Sequence, residues 1–385
     1  MHTTRMHSFS FRAMQKAKLS DLIGIINKIA PPGLAEDWDN VGLQVGDPAA
    51  EVGRVMVALD PCPVAVEEAI LNSCQLLLTH HPLIFKPLKR ISTADEAGKL
   101  IHRSIAANLA ILSMHTNYDI AANGINDLLA SRLGMQGCRP LKVTGRSELL
   151  KLVVYVPLSH QDRVMNAILP HGARQGRYAD CSFRSSGLGT FTPLEGAEPF
   201  IGSMGVRETV EECRLEVMVR RGELQPALKA LRGAHPYEEP AYDLVPLHNE
   251  GDVYGLGRIG ELQEPMPLDG FAEMVKSSLG VHSLRIVGAH GKPVSRVGVC
   301  GGSGASLLRD AARQGADVFV TGDIKYHEAR EAQSLGIALI DAGHFATERL
   351  MVEGMAVSLG EELARRRLDV AVLPCTAERE PFLVI

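Results

Sequence analysis

The stretch Leu76-Leu77-Leu78-Thr79-His80-His81-Pro82 joins a short apolar run to two adjacent histidines. Leu76 to Leu78 read as the buried middle of a strand over 75–79. Side chains alternate faces along a strand, so His80 and His81 at its C-terminal edge can diverge. Two diverging imidazoles suit two metal ions better than one. Further strands are predicted on either side, over 54–59 and 110–114. Helices are predicted over 63–73, with Pro63 in the first turn, over 94–108, and over 123–133, closed by Gly134. Upstream, Ser20 can cap a helix over 21–29 that Pro31-Pro32 ends. This strand–helix alternation predicts a largely parallel sheet.

The rhythm changes near residue 147. Strands over 149–156, 214–219 and 242–246, helices over 161–169 and 223–231, and strand-like pieces such as Cys181-Ser182-Phe183 in a Gly/Ser/Thr-rich segment give the order β-α-β-β-α-β. That order is the split-βαβ, ferredoxin-like arrangement. After Gly255-Leu256-Gly257-Arg258 the first rhythm returns. Helices are expected over 271–279, 306–314, 329–335 and 344–359, and strands over 295–300, 317–321 and 338–341. The fold class is therefore α/β: a metal-binding core in two sequence halves, 19–146 and 249–385, with an inserted ferredoxin-like α+β domain at 147–248. Surface loops tolerate such insertions.

Bulk properties bound the function. A chain of 385 residues is too long for one ordinary core. With 40 Lys+Arg against 45 Asp+Glu, a general nucleic-acid binder is disfavoured. No apolar run approaches the roughly 18 residues that span a bilayer, so no membrane association is expected. The 7 cysteines form no CxxC pair, which argues against a disulfide framework or a cysteine zinc site and points to the cytoplasm. The first 18 residues carry Arg5, Arg12, Lys16 and Lys18, no acid and no apolar middle. They read as a disordered tail or as an upstream start before Met14, or alternatively as an organelle-targeting peptide.

The histidine pair has company. His115 and Asp119 follow the 110–114 strand, and His344 and Glu348 follow the 338–341 strand. An i, i+4 spacing places His344 and Glu348 on one helix face. All these groups sit at C-terminal strand ends, where open α/β sheets build ligand sites. Taken singly, a histidine pair after a strand can be incidental, and His344 with Glu348 can be a surface pair. Together, imidazole and carboxylate without thiolate suit Zn, Mn, Fe or Co. Two such ions activate water and stabilise charge that develops during attack, and their surplus positive charge draws anions.

These residues resemble a known family. Thr79-His80-His81-Pro82, His115-Thr116-Asn117-Tyr118-Asp119, Thr321-Gly322-Asp323-Ile324-Lys325-Tyr326-His327 and Gly343-His344 with Glu348 are similar to the GTP cyclohydrolase 1 type 2 homologues, the NIF-three-like dinuclear metal-centre proteins. Trp38-Asp39-Asn40-Val41-Gly42 and Cys300-Gly301-Gly302-Ser303-Gly304 match too, and the resemblance runs from about residue 20 to the C-terminus. The insert, with His235-Pro236-Tyr237-Glu238-Glu239-Pro240-Ala241-Tyr242-Asp243, is similar to that of longer bacterial members, which resembles PII-like or CutA-like domains. The resemblance implies that His80, His81, Asp119, His344 and Glu348 hold two divalent ions, with Glu348 touching both. It also implies a toroidal homohexamer whose sites face an internal cavity. The family name implies GTP ring opening. The expected function is a dinuclear metal-dependent hydrolase of a nucleotide-like or other small anionic substrate. The alternative is a non-enzymatic metal-handling or adaptor protein built on the same site.

Other motifs carry two readings each. His115 and His327 are candidate proton relays beside the metals, or structural histidines. Gly301-Gly302-Ser303-Gly304 precedes a helix whose N–H groups could cradle a phosphate, or is simply a tight strand-to-helix turn. Trp38 to Gly42 is a buried loop anchor, or lines the cleft through Asp39 and Asn40. His235 with Glu238-Glu239 is a loop entering the last strand of the insert. Alternatively it forms a regulatory-ligand surface, or a lid over the hexamer opening.

Overall fold

A computed structural model describes residues 15–383. Within them the chain divides into two compact units, Gly145–Val253 and the remainder on both sides of it. The fold is mixed α/β with several sheets.

The two-part unit carries two main sheets. In the first, strands Ala371–Pro374, Arg54–Ala58, Leu76–Thr79 and Ala110–Ser113 run parallel in that order, and Gly42–Val45 closes the edge antiparallel. Leu76, Leu77 and Leu78 are each 0% exposed. A strand covered on both faces needs an unbroken apolar run rather than alternation. In the second sheet, Pro293–Val299, Val318–Thr321 and Ala338–Asp341 run parallel. Arg285–Val287 joins antiparallel at one side, and Val253–Pro267 at the other, with Met135–Arg146 beyond it.

Several expectations need correction. Residues 1–14, including the proposed start at Met14, lie outside the described residues. Ala17–Lys18 is not tail: it pairs antiparallel with Glu51–Val52. Ser20 is not a cap, since the first helix begins at Leu19. Lys18 occupies the N-cap position, and Asp21 in the first turn accepts its backbone N–H at 2.9 Å. The last helix breaks after Glu348, leaving a short piece, His344–Glu348, before Leu350–Arg366. The helix expected over 306–314 is a 3₁₀ turn, Ala305–Leu307, followed by Leu308–Arg313.

One buried ion pair braces this unit. Arg258 is 4% exposed. It donates to both oxygens of Asp127 at 2.5 and 2.8 Å, and to the Ala121, Gly255 and Gly257 carbonyls at 2.9, 2.9 and 2.8 Å. This links the Val253–Pro267 strand to the turn just after Asp119.

The inserted unit runs strand Leu149–Pro157, helix Gln161–Ile168, strands Ser182–Phe191 and Glu208–Arg220, helix Leu224–Ala234 and strand Tyr242–Leu247. Its sheet is antiparallel throughout, with the last strand beside the first, then the third, then the second. The helices pack their apolar sides, including Val164, Ile168, Leu228 and Leu231, on Leu152, Val154, Leu215 and Val217 of the sheet.

Candidate metal centre

Each candidate ligand stands just beyond a buried strand. His80 and His81 follow Thr79, and both backbone N–H groups donate to the Leu59 carbonyl, at 3.1 and 3.0 Å. Asp119 lies in the short helix Thr116–Ile120 that follows the neighbouring strand. His344 and Glu348 are one turn apart in their short helix, which Gly343 starts with a φ of +88°.

The structure brings these five side chains together. Glu348 presents its two oxygens in different directions. Oε1 lies 3.7 Å from His80 Nε2, while Oε2 lies 3.1 Å from His81 Nε2 and 2.9 Å from His344 Nε2. Asp119 Oδ1 is 3.7 Å from His80 Nε2. Two groups have the spacing to hold a metal ion: His80, His81 and His115, and His81, His344 and Glu348. His115 thus stands among the possible ligands, closer in than a neighbouring relay. His327 does not join the cluster. It is exposed on the helix Tyr326–Leu335, and its ring packs edge-on against Tyr326.

The imidazoles are fixed through their other nitrogens. Nδ1 of His80 meets the Met114 carbonyl at 2.9 Å, and Nδ1 of His81 meets Asp60 at 2.7 Å. Nδ1 of His344 meets Asp323 at 2.7 Å, and Nδ1 of His115 meets Asp39 at 2.9 Å. These acceptors call for a proton on each Nδ1, which leaves the Nε2 lone pairs for a cation. Asp39 also accepts from the Thr116 N–H and hydroxyl, at 3.0 and 2.5 Å.

The donor set fits divalent ions. Among the described residues, the buried side-chain polar atoms without a hydrogen-bond partner are His80 Nε2, Asp119 Oδ1, His344 Nε2, Glu348 Oε2 and Ser104 Oγ. All but the last converge on this cluster. Buried polar atoms are rarely left unpaired, because each costs roughly 1–3 kcal/mol. Electrostatics agree. Burial pushes the Asp119 carboxyl up, and Glu348 adds to it, to about 6. Burial acts the same way on Glu348, but His80, His344 and His81 outweigh it and hold this carboxyl well below its usual range. Burial lowers the His81 imidazole, yet Asp60 and Glu348 lift it to about 10. Glu348 raises His344 against burial, with help from Asp323, to about 9. Buried Glu348, with Asp60 and Asp323, thus holds protons on the His81 and His344 imidazoles where a metal would supply the positive charge.

The glycine loop has a different part from phosphate binding. Gly301 N–H donates to Asn126 Oδ1 at 2.9 Å, Gly302 N–H to Thr347 Oγ1 at 3.0 Å, and Gly304 N–H to Thr321 Oγ1 at 2.9 Å. These donors are used within the protein, so the tight-turn reading holds. Gly302 has φ +59°, and a Cβ there would lie 2.0 Å from Glu348 Oε1 and 3.1 Å from His344 Nε2. The loop therefore makes room for the Glu348 and His344 side chains. Trp38 is not buried: it is 58% exposed. Its ring lies 5.8 Å from Phe85 and 5.9 Å from His115, forming an aromatic rim beside the cluster.

Sequence alone marks Asp60 and Asp323 only weakly as partners of these histidines. Asp323 adopts φ +58° immediately after a strand end, a conformation aspartate tolerates better than most residues. An acidic residue two positions beyond an apolar strand was the available signal.

Comparison with known proteins places the chain. The family model described as Duf34/NIF3 (NGG1p interacting factor 3) matches residues 17–381. A protein of Halalkalibacterium halodurans named GTP cyclohydrolase 1 type 2 homolog is 40% identical, over 97% of this chain and 100% of its own length. The Bacillus subtilis protein of the same name is 39% identical, over 94% of this chain and 97% of its own. A solved Bacillus cereus protein related to NIF3 superposes with a TM-score of 0.88 at 40% identity, covering 96% of this chain and 100% of that one. The chain belongs to the Duf34/NIF3 family.

Proposed function

We propose that the protein is a dinuclear divalent-metal-dependent hydrolase acting on a nucleotide-like or other anionic substrate. The observation that carries this reading is Glu348, whose two oxygens face different imidazoles. His80 and Asp119 would hold one ion, and His81 and His344 the other, with Glu348 shared. Bound ions of the Zn, Mn, Fe or Co type supply Lewis acidity and acidify water. The protein's own groups do the rest. Asp60, Asp323 and the Met114 carbonyl keep the imidazoles turned inward. Burial raises the Asp39 carboxyl, but His115 and Thr116 overcome this and hold it at about 2. Asp39 therefore stays ionised and orients the His115 ring through Nδ1, a placement that suits a proton relay as well as coordination. Trp38 and Phe85 offer rings on which a planar base can stack. The relatives' name, GTP cyclohydrolase 1 type 2 homolog, makes GTP a first candidate substrate. His327 takes no step in this reading.

Three further features belong to the same proposal. The strand order of the inserted unit supports a ferredoxin-like domain of the PII-like or CutA-like kind. The family resemblance supports a toroidal homohexamer with inward-facing sites. The cysteines are all free, which suits the cytoplasm. No helix among the described residues is long and apolar enough to cross a membrane.

The test is a turnover screen. Metal-loaded protein is offered GTP, other nucleotides, phosphoesters and cyclic amides, beside Asp119→Ala. The reading expects turnover by the parent that the variant lacks. Ions that bind and exchange while no substrate is turned over would instead support a metal-handling or adaptor protein.

A further inference from the structure

The inserted unit contains a second concave site. A cavity of about 500 Å³ is lined by Phe191, Phe200, Tyr237 and Glu212, among others, a size suited to a small molecule. The Phe191 and Tyr237 rings meet edge-on at 5.6 Å, and Phe200 lies 6.4 Å from Tyr237. Glu212 is 9% exposed. Its Oε1 accepts the Tyr237 hydroxyl at 3.1 Å. Its Oε2 receives no hydrogen bond from the described residues. A Cβ at residue 189 would lie 2.0 Å from that same oxygen, so Gly189 keeps a place open for the carboxylate.

The surrounding charge selects the occupant. Glu238 and Glu239 also line the cavity. The lining cation, Arg214, is already paired with Glu216 at 3.0 Å. His235 is taken up structurally, with Nε2 on the Tyr155 carbonyl at 3.0 Å and Nδ1 accepting the Tyr237 N–H at 3.1 Å. Glu212 is largely buried, and its Oε2 is an acceptor still open to a ligand, for which a charged N–H donor is the strongest partner. Aromatic walls attract cations as well. An anion would meet three carboxylates.

We propose that this cavity binds a small organic cation, an ammonium group on an apolar or aromatic body, with Glu212 Oε2 accepting its N–H. Binding is reversible and independent of the metal centre.

Calorimetric titration of the full chain with phenethylammonium chloride at neutral pH tests this. Matched titrations use 2-phenylethanol and 3-phenylpropionate. The proposal expects saturable binding of the ammonium, at least tenfold tighter than either control. Glu212→Gln should weaken it tenfold or more. Phe200→Leu, at a ring 51% exposed and so mild for folding, should weaken it several-fold. Glu348→Gln should leave it unchanged. Failure of the ammonium to saturate, equal affinity for the alcohol, undiminished binding in both cavity variants, or loss of binding in Glu348→Gln would each overturn the proposal.

Discussion

Gly302 and Glu348 are in close approach: a Cβ on Gly302 would stand 2.0 Å from Glu348 Oε1. The glycine also has a positive φ of +59°, so the position resists a side chain on two counts. Gly302→Ala should therefore displace the Glu348 carboxylate and weaken ion binding by more than tenfold. It should also cost about 1–3 kcal/mol of stability through backbone strain. Ion titration and thermal melting of the variant check both. Parent-like affinity would mean that the carboxylate does not depend on this space.

Asp323→Asn and Asp60→Asn test the outer hydrogen bonds. Each replaces a carboxylate on a histidine Nδ1 by an amide that holds the ring less firmly and leaves its Nε2 less basic. Loss of such a partner typically lowers metal affinity 10–100-fold. Competition with a chelator should show a drop in this range for both variants, with the fold retained by circular dichroism.

Asp39 predicts a pH dependence of stability. Its folded carboxyl is held at about 2, below the ordinary value of about 3.9 in an unfolded chain. A depressed acid stabilises the fold above its unfolded value and loses that contribution as pH falls towards its folded value. The gain is roughly 2–3 kcal/mol at neutral pH. The gap in melting temperature between the parent and Asp39→Asn should be largest above pH 5 and should shrink between about pH 4 and pH 2.

Arg258 predicts a stability effect away from the ligands. Removing one partner of a buried, hydrogen-bonded ion pair costs about 3–5 kcal/mol. Arg258→Ala leaves the partly buried Asp127 without its cation and the Ala121 carbonyl without its donor. Urea unfolding should show a loss of this order.

The site was more legible in the sequence than its supports. Leu76 to Leu78 and Ala338 to Asp341 are apolar runs with a polar end, so their C-terminal edges, and the candidate ligands there, are readable directly. Strand Met135–Arg146 could not. It is largely exposed and contains Gly137 and Pro140, so it shows neither alternation nor a continuous apolar run. Strand Val253–Pro267 begins among glycines and shifts register between Glu261 and Met266. The break after Glu348 has no proline or glycine to mark it. The Nδ1 partners, Asp39, Asp60 and Asp323, lie far from their histidines in sequence, and the fold alone brings each pair together.

The central claim is that Glu348 is shared between two ions. Elemental analysis of the purified, metal-loaded chain beside Glu348→Ala tests it most directly. About two divalent ions per chain are expected in the parent, with loss of most of both in the variant. Two ions retained by the variant would contradict it.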